Sequence, residues 1–235
     1  MRNILLFLCL CFIACDDEIH PSNDEVIIAE TPPEGMKIKQ KEGNSSQEYF
    51  YHNNGFIDSI YTNKGYIATE KFIYNKKNQI TEVRVNYRNA NASEFTTKIT
   101  NYTYNDANQI ILMEVYDKNN VLIDIKNYTY NADGTLYNPV KIVENENLVK
   151  ENAPDTYITF KYDANPNPYY NIYPKAYKIL NYINKNNLKL KTLKNSYQNL
   201  QWSHELSYND NKYVTYEIIR NYENGYETNK FHYYP

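Results

Sequence analysis

Cysteine is confined to Cys9, Cys11 and Cys15. Beyond residue 15 the chain therefore has no thiol, which excludes a disulfide-stapled fold, a thiolate metal site and a cysteine nucleophile in the body. Arginine is scarce, four residues against 21 lysines, and the formal net charge is −3 with a pI of about 5.9. That balance offers no basic face for nucleic acid. Histidine occurs four times, without a His-x-x-x-His pair or a Glu-bearing zinc motif. Because a zinc site needs three or four converging ligands, no metal is expected. Gly-x-Ser-x-Gly, a phosphate loop and a dinucleotide fingerprint are all absent, so neither a serine nucleophile elbow nor a nucleotide cofactor is indicated. No cofactor is expected. No apolar run reaches the roughly 20 residues of a spanning helix. With 23% charged and 15% aromatic residues in 235, the chain is too polar for a multi-span membrane protein and too aromatic for a disordered tail.

What is present begins with an address. Arg2 precedes an unbroken apolar or cysteine run over residues 4–14, which ends Phe12-Ile13-Ala14-Cys15. A positive start, a short apolar stretch and a small residue before the cut describe a secretory signal. The last four residues resemble the lipobox of bacterial lipoproteins, with Phe12 in place of the usual Leu, and the resemblance implies a diacylglyceryl group on Cys15. Residues 1–14 are then a lipoprotein signal peptide, and residues 15–35 the lipidated Cys and an extended tether containing Pro21, Pro32 and Pro33. Asp16-Asp17-Glu18 directly follows the Cys and resembles the acidic export signal of surface-exposed Bacteroidota lipoproteins.

The body, residues 36–235, reads as one repeat domain. Four segments share aromatic-x-Tyr-[Asn/His]-x-x-[Gly/Asn]-x-[Ile/Leu]: Tyr49 to Ile57, Phe72 to Ile80, Tyr102 to Ile110 and Tyr128 to Leu136. Degenerate copies begin at Phe160 and Leu206, and a truncated one at Phe231. Residues i and i+2 of a strand share a face, so each aromatic-x-Tyr pair puts two rings on one side of a sheet. Asn or His then leaves the strand, and the Gly or Asn three residues on tolerates the positive φ of a short hairpin loop. Between motifs lie second turns, among them Asp117-Lys118-Asn119-Asn120; these lack EF-hand spacing and read as turn chemistry rather than calcium ligands. The expected fold is all-β, an antiparallel meander of repeated hairpins in a twisted, curled or barrel-like sheet. Ile110-Ile111-Leu112-Met113 is apolar on both faces and is expected to be covered on both. One short helix is expected near 175–184, where Ala176, Ile179, Leu180 and Ile183 recur at helical spacing.

The hairpin array resembles the tyrosine-aspartate repeats of Rhs-type proteins, with Tyr-Asn mostly in place of Tyr-Asp. Together with the lipobox and the Tyr162-Asp163 to Pro168 block, it resembles a family of Bacteroidota lipoproteins. The resemblance implies a lipid-anchored β domain and no catalytic residues. Repeat tyrosines are read as cross-strand ladders. The rings outside the pattern, Tyr169, Tyr170, Tyr173 and Trp202, are the candidate binding residues, since a flat ring with a polar tip suits sugars and peptides. The expected function is a non-catalytic binding or scaffolding lipoprotein, facing the exterior from the outer membrane, whose partner is a glycan, a protein or an uptake complex. The alternatives are a secreted hydrolase working through a carboxylate pair and a periplasm-facing structural lipoprotein.

Overall fold

Turn chemistry sets the hairpins. In the 75–79 turn, the Asn75 side chain accepts hydrogen bonds from the backbone N–H groups of Lys77 and Gln79. The Asn75 N–H donates to the Gln79 carbonyl at 3.0 Å, and Asn78 stands at φ 59°. This is a tight turn closed by one left-handed residue, the usual three-residue hairpin loop. Asn108 at φ 59°, Gly55 at 91° and Gly134 at 81° occupy the same place in the neighbouring repeats. In the 209–213 turn that place belongs to Lys212, at φ 65°, a residue type the sequence pattern does not admit.

The computed structural model describes residues 29–31, 34–63, 65–89, 92–223 and 225–235. Its strands are β1 (Ile38–Glu42), β2 (Ser46–Tyr51), β3 (Ile57–Asn63), β4 (Tyr66–Tyr74), β5 (Ile80–Asn89), β6 (Thr96–Tyr104), β7 (Ile110–Asp117), β8 (Leu122–Asn127), β9 (Lys141–Glu144), β10 (Asn147–Ala153), β11 (Thr156–Pro166), β12 (Asn186–Asn195), β13 (Asn199–Tyr208), β14 (Val214–Arg220) and β15 (Tyr226–Tyr233). All fifteen form one antiparallel meander sheet. The first and last strands meet in its middle, with Lys41 opposite Phe231. One wing runs outward from β1 to β8 and the other from β15 back to β9, so the two edges are consecutive in sequence. Residues 128–140 join them, yet the sheet does not close into a barrel.

A ladder of tyrosines ties successive hairpins together along the turn rim. Each repeat Tyr hydroxyl donates to the first carbonyl of the adjacent strand: Tyr51 to Ile38, Tyr74 to Ile57, Tyr104 to Ile80 and Tyr130 to Ile110, at 2.6–2.8 Å. Tyr162 of a degenerate copy and Tyr233 of the truncated one donate likewise to the Leu148 and Val214 carbonyls, both at 2.7 Å, whereas Tyr208 of the other degenerate copy donates to the Asp163 carboxylate. The residues that supply these carbonyls are themselves buried, so each bond is sheltered from water by the apolar side chain beside it. Tyr104→Phe removes one rung while keeping the ring. We expect a loss of about 1 kcal/mol, read as a fall in Tm of about 2–4 °C for a chain of this size.

The segment between β11 and β12 packs against one face of the sheet. A single 3-10 turn at Tyr170–Ile172 leads into α1 (Lys175–Leu180). Pro174 precedes the helix, and Tyr182 at φ 50° ends it before 184. Ala176 and Leu180 pack on Ile110. Ile172 and Tyr173 join Ile38, Tyr49, Ile57, Ile60, Phe72, Ile80 and Val83 in the main core. The double-sided cover expected for 110–113 is not found: Ile110 is fully buried, but the next three residues are half-buried. The reason is that α1 caps one face of β7 only near its start.

Candidate functional site

The open seam makes a cleft. The 131–136 turn from one side and the 143–148 turn from the other face each other over the segment carrying α1, and enclose a cavity of about 380 Å³. Thr135, Val143, Glu146, Tyr170, Lys178 and Tyr182 line it. Local backbone aims these side chains. Asn145 and Glu146 are both left-handed, at φ 49° and 63°, which makes the β9–β10 turn abrupt. Glu146 then accepts the Tyr170 hydroxyl and, at 3.0 Å, the Lys185 ammonium. The Tyr170 hydrogen bond, with Lys185 beside it, outweighs burial and holds the Glu146 carboxyl below the usual range.

Lys178 is only 6% exposed although it is a lysine. Its Nζ lies 3.9 Å from the centre of the Tyr170 ring, a cation–π contact that partly offsets desolvation. Burial pushes its pKa down, while the charges of Glu30 and Glu146 draw it back up. A second cavity of about 450 Å³ lies where α1 meets the turn rim, and includes Glu30, Gln79, Asn108 and Lys175. There Glu30 accepts the Lys175 backbone N–H at 2.7 Å, and burial raises its carboxyl pKa.

The four rings singled out in the sequence do not form one surface. Tyr173 is 8% exposed, stacked on Tyr177 with ring centres 5.1 Å apart and edge-on to Phe72 at 5.6 Å. Tyr169 is half-buried between Tyr49 and Phe231. Of the loop's three tyrosines only Tyr170 reaches the cleft. Trp202, on β13, meets Tyr222 edge-on at 5.5 Å and carries Lys191 over its ring, away from the cleft lining. The two tyrosines turn inward because the loop they break the pattern with packs on the sheet core. Cys15, Asp16, Asp17 and Glu18 lie outside the described residues. Lys178, Glu146 and Tyr182 were not singled out by sequence. Lys178 sits beside an apolar stripe and reads as solvent-facing, and the turn that presents Glu146 carries no repeat motif.

A polar cluster lies within the C-terminal wing. Glu217 Oε1 is 2.7 Å from His204 Nδ1, and Glu217 Oε2 accepts the Asn229 amide at 2.8 Å. Burial alone raises the Glu217 pKa, but the His204 and Asn229 hydrogen bonds prevail and leave it lowered. A carboxyl whose folded pKa lies below its unfolded value adds stability above the unfolded pKa and loses it as pH falls. Urea denaturation at stepped pH is expected to show stability falling from about pH 5 toward pH 3. Glu217→Gln is expected to flatten that slope, and an unchanged slope refutes the assignment.

Among the described residues no three His, Cys, Asp or Glu side chains converge as a metal site, and no helix is long and apolar enough to cross a membrane. No family model matches the chain, and no curated protein matches it. Among solved structures, it is similar to a porin-like protein from Bacteroides uniformis, at 11% identity and a TM-score of 0.38, over 88% of this chain and 99% of that one. A likeness of this degree bears on none of the residues above.

Proposed function

We propose that the chain is a lipid-anchored, non-catalytic binding module on the exterior of the outer membrane, and that the seam cleft takes a polar, sugar-sized ligand. The anchor and export parts rest on Cys15 and Asp16-Asp17-Glu18 in the sequence. The ligand class rests on the cleft: its volume of about 380 Å³ lies in the range of small-ligand sites. Two tyrosine rings and the amides of Asn145 and Asn184 line it, a mixture of flat apolar faces and paired donors and acceptors that suits sugar rings and hydroxyls. The carboxylates at the cleft favour binding over hydrolysis. Both are already engaged, Asp133 by the Thr135 N–H and hydroxyl and Glu146 by the Tyr170 hydroxyl and the Lys185 ammonium, whereas glycoside hydrolysis needs a carboxyl free to protonate the leaving oxygen.

An oligosaccharide panel titrated against the purified full chain in detergent, followed by calorimetry, tests the ligand class. Val143→Trp fills the cleft from an exposed edge position and is expected to abolish binding while leaving the melting temperature unchanged. Binding that survives this substitution places the ligand elsewhere; no binding across the panel refutes the saccharide reading.

A further inference from the structure

Strand β8 is the free edge of the N-terminal wing, and every one of its residues is exposed. Leu122 and Ile125, 45% and 52% exposed, lie opposite Tyr116 and Glu114 of β7 and share one side, while Ile123, 57% exposed, falls in the bulge and Val121, at 55%, stands just before the strand. Sheet proteins ordinarily blunt such an edge with charge, proline or a bulge that twists it away, because its unpaired N–H and C=O groups template further strands. Beyond the bulge at its start, β8 carries only Asp124 and Lys126, which pair with each other at 3.3 Å and cancel.

We propose that β8 pairs antiparallel with β8 of a second copy of this chain, about a twofold axis through Ile125. The order of charges selects this register. An axis at Ile125 sets Asp124 opposite Lys126 of the other copy on both sides, so four charges alternate in sign, while Ile125 meets Ile125. Moving the axis to 124 or to 126 sets two aspartates or two lysines face to face, and like charges directly opposite are destabilising. The rest of that face does not interfere, since Asp124 and Lys126 stand beside Val115 and Met113 on β7. An isologous contact of this kind closes on itself and covers the β8 edge of both copies. It joins two wings into one continuous sheet and leaves each seam cleft on its own copy.

Because the chain has no cysteine beyond residue 15, single introduced thiols report the contact in native membranes. Ile125→Cys, treated with a short bis-maleimide, is expected to give a species of twice the chain mass, and Ile142→Cys on the opposite edge is not. The unsubstituted chain controls for Cys9, Cys11 and Cys15. Adding Lys126→Asp to the Ile125→Cys chain is expected to remove the dimer band, and adding Asp124→Lys together with Lys126→Asp to restore it. These positions are exposed, and circular dichroism melts check that the variants fold. Failure of position 125 to cross-link, a product of any other mass, or loss that the charge exchange does not reverse overturns the pairing.

Discussion

Cys15→Ala is expected to move the protein completely from the membrane pellet to the soluble fraction. Anchoring strength scales with buried acyl chain, about 0.8 kcal/mol per CH₂, and one chain alone binds only reversibly while two hold firmly. A diacylglyceryl cysteine supplies two chains at one atom, and the rest of the chain offers no substitute: no other apolar stretch of comparable length occurs in the sequence. The measurement is fractionation of cells expressing the full chain, with metabolic labelling by palmitate as a second reading. A Cys15→Ala protein that stays in the pellet and was never labelled refutes lipidation. Neutralising the export signal, as Asp16→Asn, Asp17→Asn and Glu18→Gln together, is expected to keep the protein in the pellet but protect it from protease added to intact cells. Equal shaving of both proteins, with a periplasmic control intact, separates the two roles and sinks the export reading alone.

Phe72→Ala carries the largest expected cost to the fold, about 3–5 kcal/mol as for other buried aromatic truncations. Phe72 is 1% exposed on β4, and its ring meets both Tyr173 and Tyr177, with centres 5.6 and 6.0 Å away. Its removal opens a cavity where the inserted segment is clamped to the sheet, so the strands lose packing and the cleft loses its support together. Thermal unfolding followed by circular dichroism is expected to show a Tm lower by on the order of 10 °C. Phe50→Ala on β2 is the control: Phe50 is exposed, and surface substitutions usually stay within about 0.5 kcal/mol. Equal melting of the two variants removes Phe72 from the core.

The hairpins were legible because their cause is local. Asn75, Asn105 and Asn209 bond backbone N–H groups within four residues of themselves, and Gly55, Asn78, Asn108 and Gly134 hold the left-handed position. Those choices are made inside one short window, which a repeated motif exposes. Asparagine takes the same role in other turns, at Asn54, Asn167, Asn195 and Asn221. The 209–213 copy looked degenerate because Lys212 takes the left-handed position without being Gly or Asn, held there by the hairpin around it. The helix was legible from its apolar spacing, but not its end, since the left-handed Tyr182 leaves no mark in a hydrophobic period.

By itself, then, the sequence determined the strand-turn rhythm, the antiparallel meander and the short helix, each encoded within a few adjacent residues. Tertiary structure alone decided the rest. The pairing of β1 with β15 joins residues from the two ends of the described body, such as Lys41 and Phe231, and no local pattern carries that contact. It makes β8 and β9 the edges, and the edges make the seam and its cleft. The placement of the 167–184 segment likewise follows from the sheet core it packs on. Burial there turns Tyr173 into core and Lys178 into a lining residue, because desolvation depends on what lies across the sheet and not on the residues alongside in the chain.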